Sequence, residues 1–473
     1  MKSIINLADS YKYSHSSQYP DNMVSNYSYM ESRGGKYTAT VFVGLQYYLQ
    51  KYLTTPVTLA EVEHTTLKAE RHGVPFDYDG WLHIVNNCSG LLPIRIKAIP
   101  EGTLVPTRNV LLTIESTDTT VPWITGFVET LLMKIWYPTT VATKSYYVRQ
   151  MLERYGSPEW AQFAYHNFGD RGSSSVESAA IGGFAHYTQF MGTDNFNSLD
   201  IAEDYYKHTD MPAYSVFATE HSTTTSYGRE GEEAFVYAQL LANPDKAVMS
   251  FVADSYDVYA FTHFCTDPGS RIRKLIESRP HQKFVLRPDS GEPIEVINRI
   301  LNIMVSNNLK TISQTSVTPK VLFTDFGILW GDGITPETIE EILTINLTNG
   351  FAAENFVFGS GGDLMQNVNR DTQRFAIKCS SITTAKQCCE EPGGTPTYSY
   401  TDIDVYKDPI TAPGKRSKRG KVTTWLNTET GEYSTSLVGQ QPSPHHINAL
   451  QTIFENGKIL ISPSLENIRK RIT

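Results

Sequence analysis

Several segments of this 473-residue chain place charged or glycine residues directly after an apolar run, as a strand does when it delivers functional groups to a loop. In Arg287-Pro288-Asp289-Ser290-Gly291, the Arg can bind phosphate and the Asp can hold a ribose hydroxyl or a magnesium-bound water. An ordinary βα turn with an internal Arg–Asp pair is the alternative. Asp254-Ser255-Tyr256-Asp257 offers a carboxylate that can coordinate magnesium on a pyrophosphate, or simply cap a helix. Gly331-Asp332-Gly333 and Gly359-Ser360-Gly361-Gly362-Asp363 let backbone N–H groups approach a phosphate, helped by a helix dipole beyond. Either glycine cluster alone reads as a turn; two of them late in one βα array strengthen the phosphate reading.

Positive charge concentrates at Arg370, Lys378, Lys407, Lys415, Arg416, Lys418, Arg419 and Lys421. A solvated surface explains such a run by default, and a pyrophosphate leaving group also requires cations of this kind. Glu220-His221-Ser222-Thr223 contains a histidine whose position alone says little. The formal charge of −9 excludes a general polyanion binder, so no nucleic-acid partner is expected. Cys88, Cys265, Cys379, Cys388 and Cys389 form no CxxC pair and have no accompanying His spacing, so neither a zinc site nor a disulfide framework is indicated. The short apolar stretch Ile4 to Ala8 is too little for a signal peptide and no run approaches a membrane span, so a cytoplasmic protein without a membrane partner is expected.

The elements that must position these groups follow a βα rhythm from Gln162 to Met365. Strands are predicted at Phe163 to Tyr165, Val248 to Val252, Phe284 to Leu286, Val321 to Phe323 and Phe356 to Phe358. Pro293 starts a helix whose Ile294, Ile297, Leu301, Met304 and Val305 share a face. Thr335-Pro336 caps another, with Gly350 at its C-terminal end, and a third begins at Ser174 with Glu177 completing a capping box. Such alternation argues for a parallel sheet, whose ligands gather at the strands' carboxyl ends. The N-terminal part reads as α+β: Ile94, Ile96 and Ala98 alternate, Val110 to Ile114 is a strand, and a helix covers Ile124 to Ile135. The tail from Asp402 to Ser464 is strand-like and returns to the first domain. Lys386 to Thr401, rich in Pro, Gly and Thr, reads as a mobile loop within the segment 379–405. The domains expected are residues 1–155, an α+β domain; 156–368, an α/β barrel; and 369–473, a C-terminal segment packing back on the first.

Taken together, these motifs resemble the nicotinate/nicotinamide phosphoribosyltransferase family, on its nicotinamide-using side, over nearly the whole chain. Leu7-Ala8-Asp9-Ser10-Tyr11-Lys12, Val43-Gly44-Leu45-Gln46-Tyr47, Trp136-Tyr137-Pro138, Phe168-Gly169-Asp170-Arg171-Gly172, Gly192-Thr193-Asp194 and Lys407-Asp408-Pro409 share in the resemblance. It implies an irregular α/β (TIM-like) barrel plus an α+β domain formed from the N- and C-terminal parts. It also implies a homodimer with active sites at the subunit interface, and synthesis of nicotinamide mononucleotide and pyrophosphate from nicotinamide and phosphoribosyl pyrophosphate in NAD salvage.

By the same resemblance, Phe168 and Tyr11 of the partner chain sandwich the pyridine ring, near Asp9. Asp194 accepts the amide N–H, with Arg171 nearby, and repels nicotinate. Arg287, Asp289, Gly331 and Asp332 hold the ribose and its surroundings, and Gly361 and Gly362 take the 5′-phosphate. Asp254 serves Mg2+ and pyrophosphate, while Arg33, Arg370, Lys378, Lys407 and Lys415 neutralise pyrophosphate. His221 matches a histidine that ATP phosphorylates, coupling hydrolysis to synthesis. Gly327 and Ala376 depart from the family pattern, at an expected Arg and an expected Ser. The competing readings are a nicotinate phosphoribosyltransferase and a non-catalytic nucleotide-binding scaffold.

Overall fold

The computed structural model describes residues 3–314, 320–388, 396–412 and 415–472. The chain divides into two compact units: Met1–Thr143, Ile201–Thr209 and Asn369–Thr473 form a terminal unit, and Lys144–Asp200 with Asp210–Val368 form a central one. The division falls within the helix Trp136–Leu152 rather than at residue 155, and Ile201–Thr209 goes with the terminal unit.

The central unit is built on a six-stranded parallel sheet in the order Tyr165–Asn167, Phe356–Ser360, Phe326–Trp330, Lys283–Arg287, Val248–Val252, Phe217–Ala218. Single parallel bridges from Asn167 to Thr193 and from Gly192 to Tyr214 bring its two edges together, because Tyr214 lies just ahead of the strand Phe217–Ala218. The sheet is therefore an irregular α/β barrel. The four middle strands are mostly apolar and buried, as expected where helices cover the outer face.

One predicted strand needs correction. Val321 to Phe323 lies in the strand Lys320–Phe323, which pairs antiparallel with Thr311–Gln314; the barrel strand is the next apolar run, Phe326–Trp330. All five residues of that second run are buried, so the barrel takes the segment that is apolar on both faces. The first strand also sits later than predicted, at Tyr165–Asn167, leaving Phe163 exposed.

Helix signals were mostly legible. Pro293–Ser306 buries Ile297, Leu301 and Met304 but leaves Val305 about half exposed. Thr335 caps Pro336–Thr348. The helix at Ser174 instead starts after Ser175, whose extended backbone and hydroxyl make the capping box with Ser178 rather than Glu177.

In the terminal unit, a seven-stranded sheet orders Tyr398–Asp404, Phe375–Gln387, Met23–Ser32, Val110–Ser116, Ile94–Ala98, Gln451–Glu455 and Lys458–Ile459. Strands from both ends of the chain thus share one α+β layer. Phe375–Gln387 and Tyr398–Asp404 are antiparallel, with Lys386 opposite Ser399. The expected mobile loop from Lys386 to Thr401 therefore begins and ends in strand, since its Tyr, Ser and Thr residues suit a pleated edge; residues 389–395 lie outside the described ones. The helix expected over Ile124 to Ile135 is two short pieces, Ile124–Phe127 and Glu129–Met133, with Trp136 opening the next helix. Among the described residues, no helix is long and apolar enough to cross a membrane.

Candidate active site

The carboxyl ends of the parallel strands carry most of the barrel's predicted site residues. Phe168 follows the first strand, its N–H donating to Ser360 O at 2.8 Å. Its ring lies over the backbone of Gly359: a Cβ there would stand 2.1 Å from Phe168 Cε2, so any larger residue must displace the ring. His166, two residues earlier and hence on the same side of the strand, packs at 4.9 Å from the Phe168 ring.

His166 also meets Asp194. The Asp194 N–H donates to Asn167 O at 3.0 Å, and its Oδ1 lies 2.8 Å from His166 Nε2 and accepts from the Ser215 hydroxyl. Burial pushes the Asp194 carboxyl up, but the His166 hydrogen bond and charge, the Ser215 hydroxyl and the Arg287 charge outweigh it and hold the group below the ordinary aspartate range. An ionised Asp194 can only accept, so Nε2 of His166 carries the shared proton. Neither His166 nor Ser215 was among the sequence-based candidates. Period-two spacing before Phe168 was a usable signal for His166, whereas Ser215 arrives only through the bridge between Gly192 and Tyr214.

A second cluster joins His221, Asp254, Asp289 and Arg287. Asp257, not Asp254, caps the helix Val258–Thr266, accepting from the N–H groups of Tyr259 and Ala260 at 2.9 and 3.0 Å. Asp254 is thereby released from the capping role. Its Oδ1 lies 3.0 Å from His221 Nε2, and its Oδ2 accepts from Ser290 Oγ at 2.5 Å. The Asp254 side chain is only 9% exposed and that of His221 is 45% exposed, so the imidazole is the more accessible member of the pair.

Asp289 has its pKa raised by burial first, with Asp254 and Asp332 adding to the rise and Arg287 and His221 opposing it. Its Oδ1 sits 3.0 Å from where a Gly331 Cβ would be, so the glycine makes room for the carboxylate. Arg287 donates to Thr219 O at 2.9 Å, while its buried Nε has no partner among the described residues. The charge of Arg287 acts on both Asp194 and Asp289, which places it between the two clusters.

Gly361 and Gly362 open the short helix Gly362–Met365, and a Cβ on Gly362 would meet nothing within 4 Å, so a phosphate-sized group has space there. Lys144 pairs with Asp363 and offsets the negative charge nearest this turn. The resemblance put Arg171 near Asp194. In the structure it is exposed and its charge acts on Glu220, and Arg287 is an arginine whose charge acts on Asp194.

The remaining predicted residues lie in the terminal unit. Arg33, Arg370, Lys378 and Lys415 line one cavity of about 660 Å³, together with Arg108, Arg374, Glu129 and Asp371. Burial lowers the pKa of Lys378, Glu129 raises it, and Arg33, Lys407 and Lys12 lower it further, so Lys407 belongs to the same positive field. Arg33 Nε pairs with Glu31 at 3.1 Å, and its buried NH2 nitrogen has no partner among the described residues. Arg108 and Arg374, which sequence reasoning missed, both have positive φ, of 71° and 50°, a costly backbone for non-glycine residues. Tyr11 is exposed beside His15 and Lys12, and Asp9 accepts from Thr130 Oγ1 at 2.9 Å.

The sequence profile described as the nicotinate phosphoribosyltransferase (NAPRTase) family matches residues 163–458. The chain belongs to that family. A second profile, the nicotinamide phosphoribosyltransferase N-terminal domain, matches residues 3–96. Among curated relatives, the chain is 41% identical to a nicotinamide phosphoribosyltransferase of Xanthomonas campestris pv. campestris (strain 8004), over 98% of this chain and 96% of that one. It is 28% identical to one of Acinetobacter baylyi, over 99% and 96%. Its fold is similar to that of nicotinate-nucleotide pyrophosphorylase from Pyrococcus furiosus, at a TM-score of 0.60 and 14% identity over 99% and 94% of the chains. Human nicotinic acid phosphoribosyltransferase gives 0.53 and 15% over 98% and 92%. This family member is thus a pentosyltransferase by lineage, and its barrel is the family's barrel.

Proposed function

We propose that this chain is a nicotinamide phosphoribosyltransferase of NAD salvage, forming nicotinamide mononucleotide and pyrophosphate from nicotinamide and phosphoribosyl pyrophosphate. The observation that carries this reading is Asp194: a carboxylate held ionised by His166 and Ser215, close to an aromatic ring that can stack on a pyridine. It accepts from an amide N–H. Against the carboxylate of nicotinate about 4 Å away it is repulsive, by about 4 kcal/mol at an effective dielectric of 20. The 41% exposure of its side chain and the nearby charge of Arg287 reduce that figure. The two relatives named above, both nicotinamide enzymes by their names, support the same choice.

As the bond between C1 of the ribose and pyrophosphate breaks, C1 gains oxocarbenium character and the pyridine nitrogen attacks. Positioning and electrostatics suffice, because that nitrogen carries no proton to remove. Arg287, Asp289 and Asp332 orient the ribose phosphate, and the amides of Gly361 and Gly362 take the 5′-phosphate. Mg2+, held by Asp254 and by oxygens of the diphosphate, would offset the leaving group's charge when bound. One carboxylate plus substrate oxygens is a usual magnesium ligand set, and each Asp254 oxygen retains a lone pair beyond its present contact.

The cations of the terminal-unit cavity suit the pyrophosphate, and we propose a homodimer in which each active site draws on both chains. ATP phosphorylates His221 in this scheme. With Nε2 engaged by Asp254, Nδ1 is the nitrogen that accepts the phosphoryl group, and Asp254 stabilises the imidazole that gives it up. A reducing compartment such as the cytoplasm suits the free Cys88, Cys265, Cys379 and Cys388.

The deciding measurement is product formation from nicotinamide and from nicotinate, each with phosphoribosyl pyrophosphate and Mg2+, with and without ATP. A clear preference for nicotinamide is expected; a preference for nicotinate would make the chain a nicotinate enzyme, and binding without turnover would make it a scaffold.

A further inference from the structure

We propose that His83, Cys88 and Asp118 form a binding site for a zinc-class divalent cation in the terminal unit, separate from the magnesium of the reaction. One ligand atom from each residue lies within 4.8 Å of the other two. The pairs that share Asp118 Oδ2 are closer, His83 Nε2 at 3.0 Å and Cys88 Sγ at 4.0 Å. A tetrahedral zinc with bonds of ~2.0–2.3 Å needs ligand atoms roughly 3.3–3.6 Å apart, so side-chain shifts of up to about an ångström would close the set around an ion.

Each ligand is held by backbone that leaves its donor atom free to turn inward. His83 stands on the helix Tyr78–Asn87, and Cys88 is the C-cap residue of that helix. The N–H groups of Cys88 and Gly90 both donate to Ile84 O, at 3.1 and 2.9 Å, and Ser89 and Gly90 turn the chain through positive φ. That fixes where the thiol sits. Asp118 follows the strand Val110–Ser116, and its Oδ1 is taken by the N–H groups of Thr120 and Val121, at 2.7 and 3.3 Å. Oδ2 is left facing the imidazole and the thiol.

A His–Asp ion pair alone would account for two of the three residues. The thiol that completes the convergence makes the set a mixed nitrogen, sulfur and oxygen one, which suits zinc and other borderline cations rather than magnesium or calcium. The side chains of His83 and Asp118 are 22% and 24% exposed, so an ion can enter and water can complete the coordination. Sequence spacing gave no hint of this, because Asp118 lies 30 residues beyond Cys88 and meets it only through the fold. The bound ion would clip the helix end to the loop after the strand and stabilise the folded unit by mass action.

The test uses the full-length protein with Cys388 and Cys389 replaced by serine, stripped with a chelator and titrated with Co2+. One equivalent is expected to produce a thiolate-to-cobalt charge-transfer band, and Zn2+ to displace it and raise the melting temperature. Cys88→Ser should abolish the band. Asp118→Asn, which keeps the Oδ1 cap, should lower affinity about tenfold or more at an unchanged metal-free melting temperature. Absence of the band in the parent, its persistence in Cys88→Ser, or undiminished affinity in Asp118→Asn would overturn the proposal.

Discussion

The barrel mouth and the terminal-unit cavity are built from opposite charges. At the mouth, Asp194, Asp254 and Asp289 are set by hydroxyls, histidines and one shared arginine, so each carboxylate faces a named donor or cation. In the cavity, Arg33, Arg108, Arg370, Arg374, Lys378 and Lys415 surround a space of about 660 Å³ with Glu129 and Asp371 as the acids that line it. Orientation is set residue by residue in the first region, and a diffuse positive field prevails in the second. The first suits discrimination between similar small molecules, and the second suits a highly charged leaving group.

Substitutions should separate these two behaviours. The largest effect is expected from Arg287→Ala, which removes the cation that both barrel clusters share: kcat/KM should fall on the order of 10²–10³-fold, measured in steady state at fixed Mg2+. A fall of less than tenfold would mean that the two clusters do not depend on it. Gly359→Val comes next, because a side chain there collides with the Phe168 ring. The KM for nicotinamide should rise about tenfold, the value of a lost aromatic contact, while the KM for phosphoribosyl pyrophosphate stays put. Lys378→Ala should do the reverse, raising the phosphoribosyl pyrophosphate KM several-fold and flattening its salt dependence, with the nicotinamide-to-nicotinate ratio unchanged. Asp194→Asn should move that ratio alone. A ratio that also shifts in Lys378→Ala would break the division of labour.

A separate effect, on acid stability rather than on turnover, belongs to the barrel unit. Burial holds His186 far down, at about 3, while Ser145 Oγ and Tyr165 O contact its two ring nitrogens at 2.9 and 3.1 Å. The unfolded chain binds a proton there below about pH 6.5 and the folded one does not, so stability falls as pH drops from about 6.5 toward 3, by up to about 1.4 kcal/mol per pH unit. Above that window it is unaffected. Urea midpoints of the parent and His186→Gln over this range should show the slope shrinking in the variant.

How much of this was legible beforehand depended on the range of the interactions involved. Asp289 and the Gly359 to Gly362 turn were readable because a strand end followed by polar residues is a local pattern. Asp254 was ambiguous between ligand and cap until the helix start settled at Val258, which gave the capping role to Asp257. Two apolar runs stand side by side at residues 321–323 and 326–330, and only burial on both faces distinguishes the barrel strand. Ser215, Arg108 and Arg374 carried no local mark. They reach their sites through a single bridge and through backbone turns contributed by distant segments.

The way the barrel closes has a kinetic consequence. Elsewhere around the circuit neighbouring strands share ladders of hydrogen bonds, but between Asn167, Gly192 to Asp194 and Tyr214 they are joined only by isolated bridges. That seam carries Asp194 and borders Ser215. A pyridine amide held against Asp194 and Phe168 would stitch the seam from within, so the backbone N–H groups of Thr193, Asp194 and Tyr214 should exchange with solvent faster than those inside the laddered strands and slow on substrate binding.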